Sequence, residues 1–171
     1  MIMLFGPAGS GKTTQAELLA EKLGRTALSV GQICREQFTE YTKNGDMVPV
    51  PELAVAVMKE VRKVEDGGGK VVLDGQPWGT DSVPVMVETG MMGDIEVAVV
   101  LDVPREECLR RLGGRGRDDD REEVWAKKLD MFEQKIYSFL TGVEGKGVRV
   151  LHVDGTGGVD EVNLRIVEAV Q

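Results

Sequence analysis

Short apolar runs alternate with segments of helical periodicity along the whole chain. The apolar runs predict five strands, at residues 1–5, 26–30, 70–74, 95–103 and 148–153. Apolar residues that recur every three or four positions predict helices from Lys12 and Pro104, and at 32–43, 51–64, 81–92, 122–140 and 158–170. In the last helix the inward-facing residues are predicted to be Val159, Val162, Ile166 and Val170. Strands that alternate with helices predict an α/β fold of three layers, a five-stranded parallel sheet with helices on both faces.

The first strand runs directly into the phosphate-loop motif G-x-x-x-x-G-K-[ST], since residues 6–13 read GPAGSGKT. In such a strand–loop–helix unit, the loop N–H groups and the helix N-terminus face a polyphosphate. Lys12 is expected to reach the β- and γ-phosphates, and the Thr13 hydroxyl to ligate Mg²⁺. The motif predicts an ATP site made of Gly6, Ala8, Gly9, Ser10, Gly11, Lys12, Thr13 and Thr14.

Charged residues elsewhere suit the same chemistry. Asp74 ends the third strand, at the edge of a parallel sheet where ligands bind, and its carboxylate is placed to hold Mg²⁺ through water. Arg115 and Arg117 lie in the glycine-rich segment 113–121, which predicts a surface loop able to fold over bound phosphates. Arg35 lies in a predicted helix, where an arginine is most often a surface charge.

The composition limits the classes of protein to which this chain can belong. With 171 residues, 42% of them hydrophobic, the chain suits one soluble domain, and its net charge of −8 disfavours nonspecific binding to nucleic acid or anionic membranes. Cys34 and Cys108 are far apart and predict reduced thiols, and His152 has no metal-ligand spacing around it. No apolar run approaches a membrane span and Met1 already begins a strand, so we expect a cytoplasmic monomer without a signal peptide.

Successive segments resemble the nucleoside monophosphate kinases, adenylate kinase in particular. GPAGSGKTTQAELLAEKLG resembles the phosphate loop and first helix of that family, LSVGQICRE its S-T-G-D-L-L-R segment, and NGDMVPVPEL its G-x-x-V-P element. LDGQPW stands where the family has L-D-G-F-P-R. VVLDVPREECLRRLGGRGRDDDREEVWAKKL is similar to the lid and its flanking helices, and VLHVDGTGGVDEV to the closing strand and D-G-x-G turn. The resemblance covers nearly the whole chain in the right order.

The resemblance implies a single P-loop kinase domain with core 1–30, 59–112 and 122–171, a helical acceptor-binding insertion at 31–58, and a short lid at 113–121. It implies Mg·ATP as donor and a small phosphorylated acceptor. Arg111 and the backbone near Gly157 would contact the ATP base, and the residues around the transferring phosphoryl group would be Lys12, Arg115, Arg117 and Lys128. The acceptor would contact Val30, Gly31, Arg35, Val48, Gly75 and Trp78.

Departures from the family pattern cluster on the acceptor side. Val30 replaces a threonine, Trp78 replaces the arginine that grips the acceptor phosphate, and the segment GTDSV has no counterpart of the glutamine that reads the adenine of AMP. Lys128 replaces a family arginine, which keeps the charge but loses the bidentate fork. A lost phosphate contact is ordinarily worth about 1.5–3 kcal/mol. The acceptor is therefore not assigned as AMP.

Three functions are compatible with these features. The favoured one is transfer of the γ-phosphoryl group of ATP to a nucleoside monophosphate. A second is transfer to a small metabolite hydroxyl, for which Asp74 is the candidate base. A third is a nucleotide-binding regulatory module with little transferase activity. A GTPase switch is disfavoured because N-K-x-D is absent and the only D-x-x-G, at 154–157, follows the last strand.

Overall fold

The strands join in one parallel sheet of order β2-β3-β1-β4-β5. In the computed structural model, which describes residues 1–44, 46–75, 81–114 and 121–171, the strands are β1 (Ile2–Phe5), β2 (Thr26–Ser29), β3 (Val71–Asp74), β4 (Val97–Asp102) and β5 (Val150–Asp154). The helices are α1 (Lys12–Leu23), α2 (Val30–Gln37), α3 (Thr39–Asn44), α4 (Val50–Asp66), α5 (Ser82–Glu88), α6 (Arg105–Gly113), α7 (Glu122–Glu144) and α8 (Val159–Val170). The predicted α/β P-loop fold is confirmed.

Strand β1 occupies the centre of the sheet, which sets the position of the phosphate loop. Leu4 of β1 is in register with Asp74 of β3, and Phe5 is in register with Val100 of β4. Ser29, the last residue of β2, is in register with Asp74 from the other side. The loop after β1 and the ends of β2 and β3 therefore meet at the carboxyl edge of the sheet.

The hydrophobic core has two parts, one on each face of the sheet. Met3 and Phe5 point to the face covered by α4, α5 and α7, and the Phe5 and Phe139 rings lie 5.5 Å apart. Ile2 and Leu4 point to the opposite face, where α1 and α8 pack. Because side chains alternate along a strand, a continuously apolar strand such as β1 requires this cover on both sides.

Two helix predictions are wrong at positions where packing against other elements determines where the helix ends. The single helix expected at 32–43 is broken between α2 and α3, where Phe38 has φ −131° and ψ 46° and packs against the core. The loop expected from Gly142 is instead the last turn of α7, which ends at Glu144. Gly142 continues the helix because it lies against Val83 of α5, where a Cβ would come within 2.7 Å of Val83 Cγ2.

Two further predictions need correction. The helix expected at 81–92 ends as α5 at Glu88, and a 3₁₀ turn follows at Met91–Asp94 after Gly90, whose φ is 79°. Val159 was expected to face inward but is 52% exposed, because it is the first residue of α8 and precedes the packed part of that helix. Within the described ranges, no helix is long and apolar enough to cross a membrane.

Candidate functional site

The phosphate loop is held in its curled form by two left-handed glycines. Gly9 has φ 84° and Gly11 has φ 88°, and Gly11 directly precedes the first residue of α1. A Cβ at Gly9 would lie 2.5 Å from the carbonyl oxygen of Cys108, so the loop packs directly against α6. Lys12 Nζ donates to the Pro7 carbonyl oxygen across the loop at 3.2 Å. The left-handed conformation therefore favours glycine at both positions, and at Gly9 the close approach to α6 also excludes a side chain.

One cavity of about 400 Å³ adjoins this loop and extends to residues of α2, α4 and α7. It brings together fifteen of the predicted site residues, which are Gly6, Ala8, Gly9, Gly11, Lys12, Thr13, Thr14, Val30, Gly31, Arg35, Val48, Asp74, Gly75, Arg111 and Lys128. Ser10 and Gly157 do not line it. Ser10 belongs to the loop but is only 1% exposed, whereas Gly157 lies in the turn after β5.

The cavity also has lining residues that the sequence reading missed. They are Ser29, Cys34, Thr42, Asp46, Met47, Leu53, Met131 and Phe132. Met131 and Phe132 stand three and four positions after Lys128, so helical spacing alone places them on its face. The other residues depend on how α2, α3 and α4 fold back towards α7, for which the sequence carries no local signal.

Asp74 is an isolated carboxylate at the end of β3. It is 2% exposed, and among the described residues no hydrogen-bond partner reaches its Oδ2. A buried acceptor without a protein donor is costly unless water or an ion satisfies it. Asp74 and Thr13 line the same cavity, so an oxygen-rich position for a hydrated Mg²⁺ fits these residues. Elsewhere in the described ranges, no group of three potential metal-ligating His, Cys, Asp or Glu side chains occurs.

Arg111 joins three parts of the site. Its Nη1 donates to the Ser10 carbonyl oxygen and its Nη2 to the Gly155 carbonyl oxygen, both at 3.1 Å, while its Nε contacts Glu107 Oε1 at 2.7 Å. Hydrogen bonds from Arg110 and then Arg111 lower the pKa of Glu107 to about 2. The guanidinium is therefore fixed between the phosphate loop and the residues that follow β5.

Two helices each contribute a positively charged side chain to the cavity wall. Arg35 of α2 and Lys128 of α7 both line the cavity near Cys34. Burial raises the pKa of the Cys34 thiol to about 11, and the charges of Arg35 and Lys128 partly oppose that shift. Both cations therefore lie close to one position on the cavity wall. They can share the negative charge of a phosphate placed between α2 and α7.

The start of α7 is also linked to the segment around α3. Arg121 Nη2 donates to the Lys43 carbonyl oxygen, and Lys127 Nζ contacts Asp46 Oδ1, both at 2.6 Å. Asp46 lines the cavity, so these two contacts, which we call the α3–α7 latch, border its acceptor side. The predicted residues Arg115, Arg117 and Trp78 lie outside the described residues, as does most of the expected lid at 113–121.

The cysteines and the histidine stand apart from the phosphate chemistry. Cys34 and Cys108 are both free thiols, as the sequence predicts. His152 is exposed on β5, with Nδ1 3.0 Å from Asp102 Oδ2. That single carboxylate contact is consistent with the structural interpretation of His152.

Comparisons with known proteins agree with this geometry. A family model described as an AAA domain matches residues 5–126. The chain is 33% identical over 180 residues to an adenylate kinase from Mycolicibacterium vanbaalenii, covering 98% of this chain and 97% of that protein. It is 34% identical over 187 residues to an adenylate kinase from Micrococcus luteus, covering 99% and 89%. The chain therefore belongs to the adenylate kinase family of nucleoside monophosphate kinases, with an AAA-type P-loop domain, and is an ATP-dependent phosphotransferase.

Proposed function

We propose that this enzyme transfers the γ-phosphoryl group of Mg·ATP to a nucleoside monophosphate, and that AMP is not its preferred acceptor. The observation that carries the proposal is the shared cavity, in which Lys12 and Asp74 stand on one side and Arg35 and Lys128 on the other. A donor and an acceptor phosphate placed in one cavity can react in line without crossing solvent. Val30, which stands where the family pattern has a threonine, lines this cavity together with the apolar residues Met47 and Leu53.

Phosphoryl transfer requires the protein to position the donor and acceptor phosphates and to supply positive charge around the transferring group. Lys12 and Lys128 would stabilise the charge on the transferring group, and Arg115 and Arg117 would add to it from the lid. No general base is needed, because the attacking group is already a phosphate oxygen. Arg35 would hold the acceptor phosphate, and Arg111 would stay on the donor side against Gly155.

Magnesium is the cofactor that these residues would hold. Thr13 would be a direct ligand and Asp74 would bind the ion through water, as its unpartnered oxygen favours. The ion, when bound, neutralises charge between the β- and γ-phosphates. The free thiols Cys34 and Cys108 support a reducing, cytoplasmic location, and we expect the enzyme to act as a monomer.

A panel assay tests the proposal. Purified protein is mixed with Mg·ATP and, separately, with each ribose and deoxyribose monophosphate and with small alcohols, and ADP formation is followed. We expect rapid transfer to one monophosphate and slow transfer to AMP. Transfer to an alcohol alone would favour the hydroxyl-kinase alternative with Asp74 as base, and ATP binding without any turnover would favour a regulatory module.

Lys12→Ala tests the assignment of the donor site. The substitution removes one charge from the phosphate loop, and we expect transfer to fall below detection while the circular dichroism spectrum and the unfolding midpoint stay unchanged. Turnover that survived in Lys12→Ala would place the donor site elsewhere.

A further inference from the structure

A buried amide pair links the phosphate-loop helix to the start of α8. Gln15, in the first turn of α1, is 3% exposed, and its Nε2 donates to the Val159 carbonyl oxygen at 2.9 Å. Asn163 of α8 is 1% exposed, and its Nδ2 donates to Gln15 Oε1 at 3.1 Å. These two hydrogen bonds use both the nitrogen and the oxygen of the Gln15 amide, so they fix its orientation, whereas Asn163 Oδ1 is buried and has no hydrogen-bond partner among the described residues.

Several hydrogen bonds hold the residues between β5 and α8 in place. In this turn, residues 154–158, the Arg165 guanidinium donates to the carbonyl oxygens of Asp154 and Thr156 at 3.0 and 2.7 Å. Gly158 N–H donates to Glu161 Oε2 at 2.8 Å. These contacts are local to the turn and α8, so they fix the shape of the turn but not its distance from the phosphate loop.

Besides the apolar packing of α1 on α8, two side chains of the described residues donate hydrogen bonds that join the phosphate-loop unit to backbone carbonyls at 155–159. Arg111 bridges the Ser10 and Gly155 carbonyl oxygens, and Gln15 reaches the Val159 carbonyl oxygen. The first bridge lies at the cavity and uses a charged side chain. The second is buried beneath the site and uses neutral groups, so it is insensitive to salt and to the charge of a bound nucleotide.

We propose that Gln15, oriented by Asn163, is a positioning residue that sets the distance between the phosphate loop and the 154–158 turn, and thereby the donor's base specificity. The inference rests on the proposed function, in which that turn lies beside the ATP base. One nucleotide must reach from the phosphates bound at Lys12 to the base beside the turn, so the distance between loop and turn selects which of its conformations can bind. A turn displaced relative to the loop would still leave the polyphosphate site intact.

The test compares two ligands that share the phosphates and differ in the base. Affinities for ATP and for inorganic tripolyphosphate, each with Mg²⁺, are measured by calorimetry on the wild type and on Gln15→Met. We expect Gln15→Met to weaken ATP binding about tenfold while tripolyphosphate binding changes less than about twofold. Gln134→Met, at an exposed position on α7, is the matched control and should change neither affinity.

A double variant separates positioning from a merely structural role. Gln15→Met leaves the Asn163 amide unpaired in the core, whereas Gln15→Met/Asn163→Leu replaces both partners by apolar groups of similar size, which restores most of the lost stability. We expect the double variant to regain its unfolding midpoint but not its ATP affinity. The KM for ATP should rise with kcat nearly unchanged.

Three results would overturn the proposal. They are an equal loss of ATP and tripolyphosphate affinity, recovery of ATP affinity together with stability in the double variant, or no change of ATP affinity in Gln15→Met. Failure of the proposed function has a different signature, since the wild type itself would then bind ATP no better than tripolyphosphate or would transfer no phosphoryl group.

Discussion

Lys128 is the residue at which a small chemical difference matters most for turnover. It lines the cavity on α7 and acts on the same wall as Arg35. An ammonium ion offers a point charge, whereas a guanidinium offers two parallel donors to a phosphate. In the proposed mechanism Lys128 would therefore keep the charge that phosphoryl transfer needs, with less geometric control of the transferring group.

We expect Lys128→Arg to raise kcat by roughly three- to tenfold, because a bidentate contact that tightens in the transition state contributes about 1 kcal/mol. Initial rates at saturating ATP and acceptor measure the effect. Lys135→Arg, on the same helix but outside the cavity lining, is the control. A Lys128→Arg variant with unchanged kcat and higher acceptor KM would mean that Lys128 binds the acceptor without acting on the transferring group.

At the scale of the elements, the fit between α5 and α7 depends on one missing side chain. Gly142→Ala would place a Cβ 2.7 Å from Val83 Cγ2, and Val83 is itself buried. The overpacking cost of about 1–3 kcal/mol exceeds the gain of about 1 kcal/mol from helix propensity. We expect a lower free energy of unfolding in urea. Gly113→Ala in α6, where a Cβ meets nothing within 4 Å, should be neutral or stabilising, and equal effects of the two would refute the steric explanation.

A second prediction concerns the amino ends of β2 and β4. Arg25 pairs with Glu96 through two hydrogen bonds, at 2.9 and 2.8 Å, and together with the amino group of Met1, 3.0 Å from Glu96 Oε1, it lowers the pKa of Glu96 from 4.5 to about 2. A lowered carboxyl pKa stabilises the fold above the unfolded value, and that stability is lost as pH falls from about 4.5 to about 2. Because Glu96 is 44% exposed, solvent screening limits the effect to about 1 kcal/mol.

Glu96→Gln should therefore lower the free energy of unfolding at pH 7 by about 1 kcal/mol or less, with the difference vanishing near pH 2. Urea unfolding at a series of pH values measures it, and the exposed Glu17→Gln is the control. A difference that persisted unchanged at the lowest pH would mean that shape, and not charge, accounts for the contact.

The elements that the sequence predicts well are those fixed by local chemistry. The phosphate loop, the start of α1 and the cover on both faces of β1 follow from the glycines, Lys12 and an unbroken apolar run. The break at Phe38 and the continuation of α7 through Gly142 run against local propensity, and each is decided by a contact with a distant element. The site residues also fall into those that local sequence predicts and those that it does not. Cys34 and Leu53 belong to the second group, because they line the cavity only through the packing of α2 and α4.

For the whole molecule, the α3–α7 latch joins the start of α7 to the segment around α3, and in the proposed function it would couple acceptor entry and release to the position of α7. Both of its contacts lie near the surface, and the side chains of Lys127 and Asp46 are about half exposed, at 46% and 51%. Exposed pairs of this kind contribute about 0–1 kcal/mol and are weakened by salt. In the proposed function, contacts of this strength would favour a closed cavity and still open on each cycle.

We expect Lys127→Met to raise kcat up to about fivefold, because a weaker latch speeds opening and product release. Added salt should mimic the variant in the wild type and have little further effect on Lys127→Met itself. Lys63→Met, which breaks an exposed pair with Glu60 within α4, is the control. Equal stimulation by salt in all three proteins would show that the latch does not limit turnover.

The strand order has a consequence for how such an enzyme can diversify. Residues 30–70 leave the sheet at the end of edge strand β2 and return to it at β3, so one contiguous segment supplies α2, α3 and α4. The phosphate loop, β4 and α6 lie outside that segment. In the proposed kinase this one segment holds most of the expected acceptor contacts, with Gly75, Trp78 and Lys128 outside it, so a chimera that grafts residues 30–70 onto a relative should shift the acceptor preference of that relative.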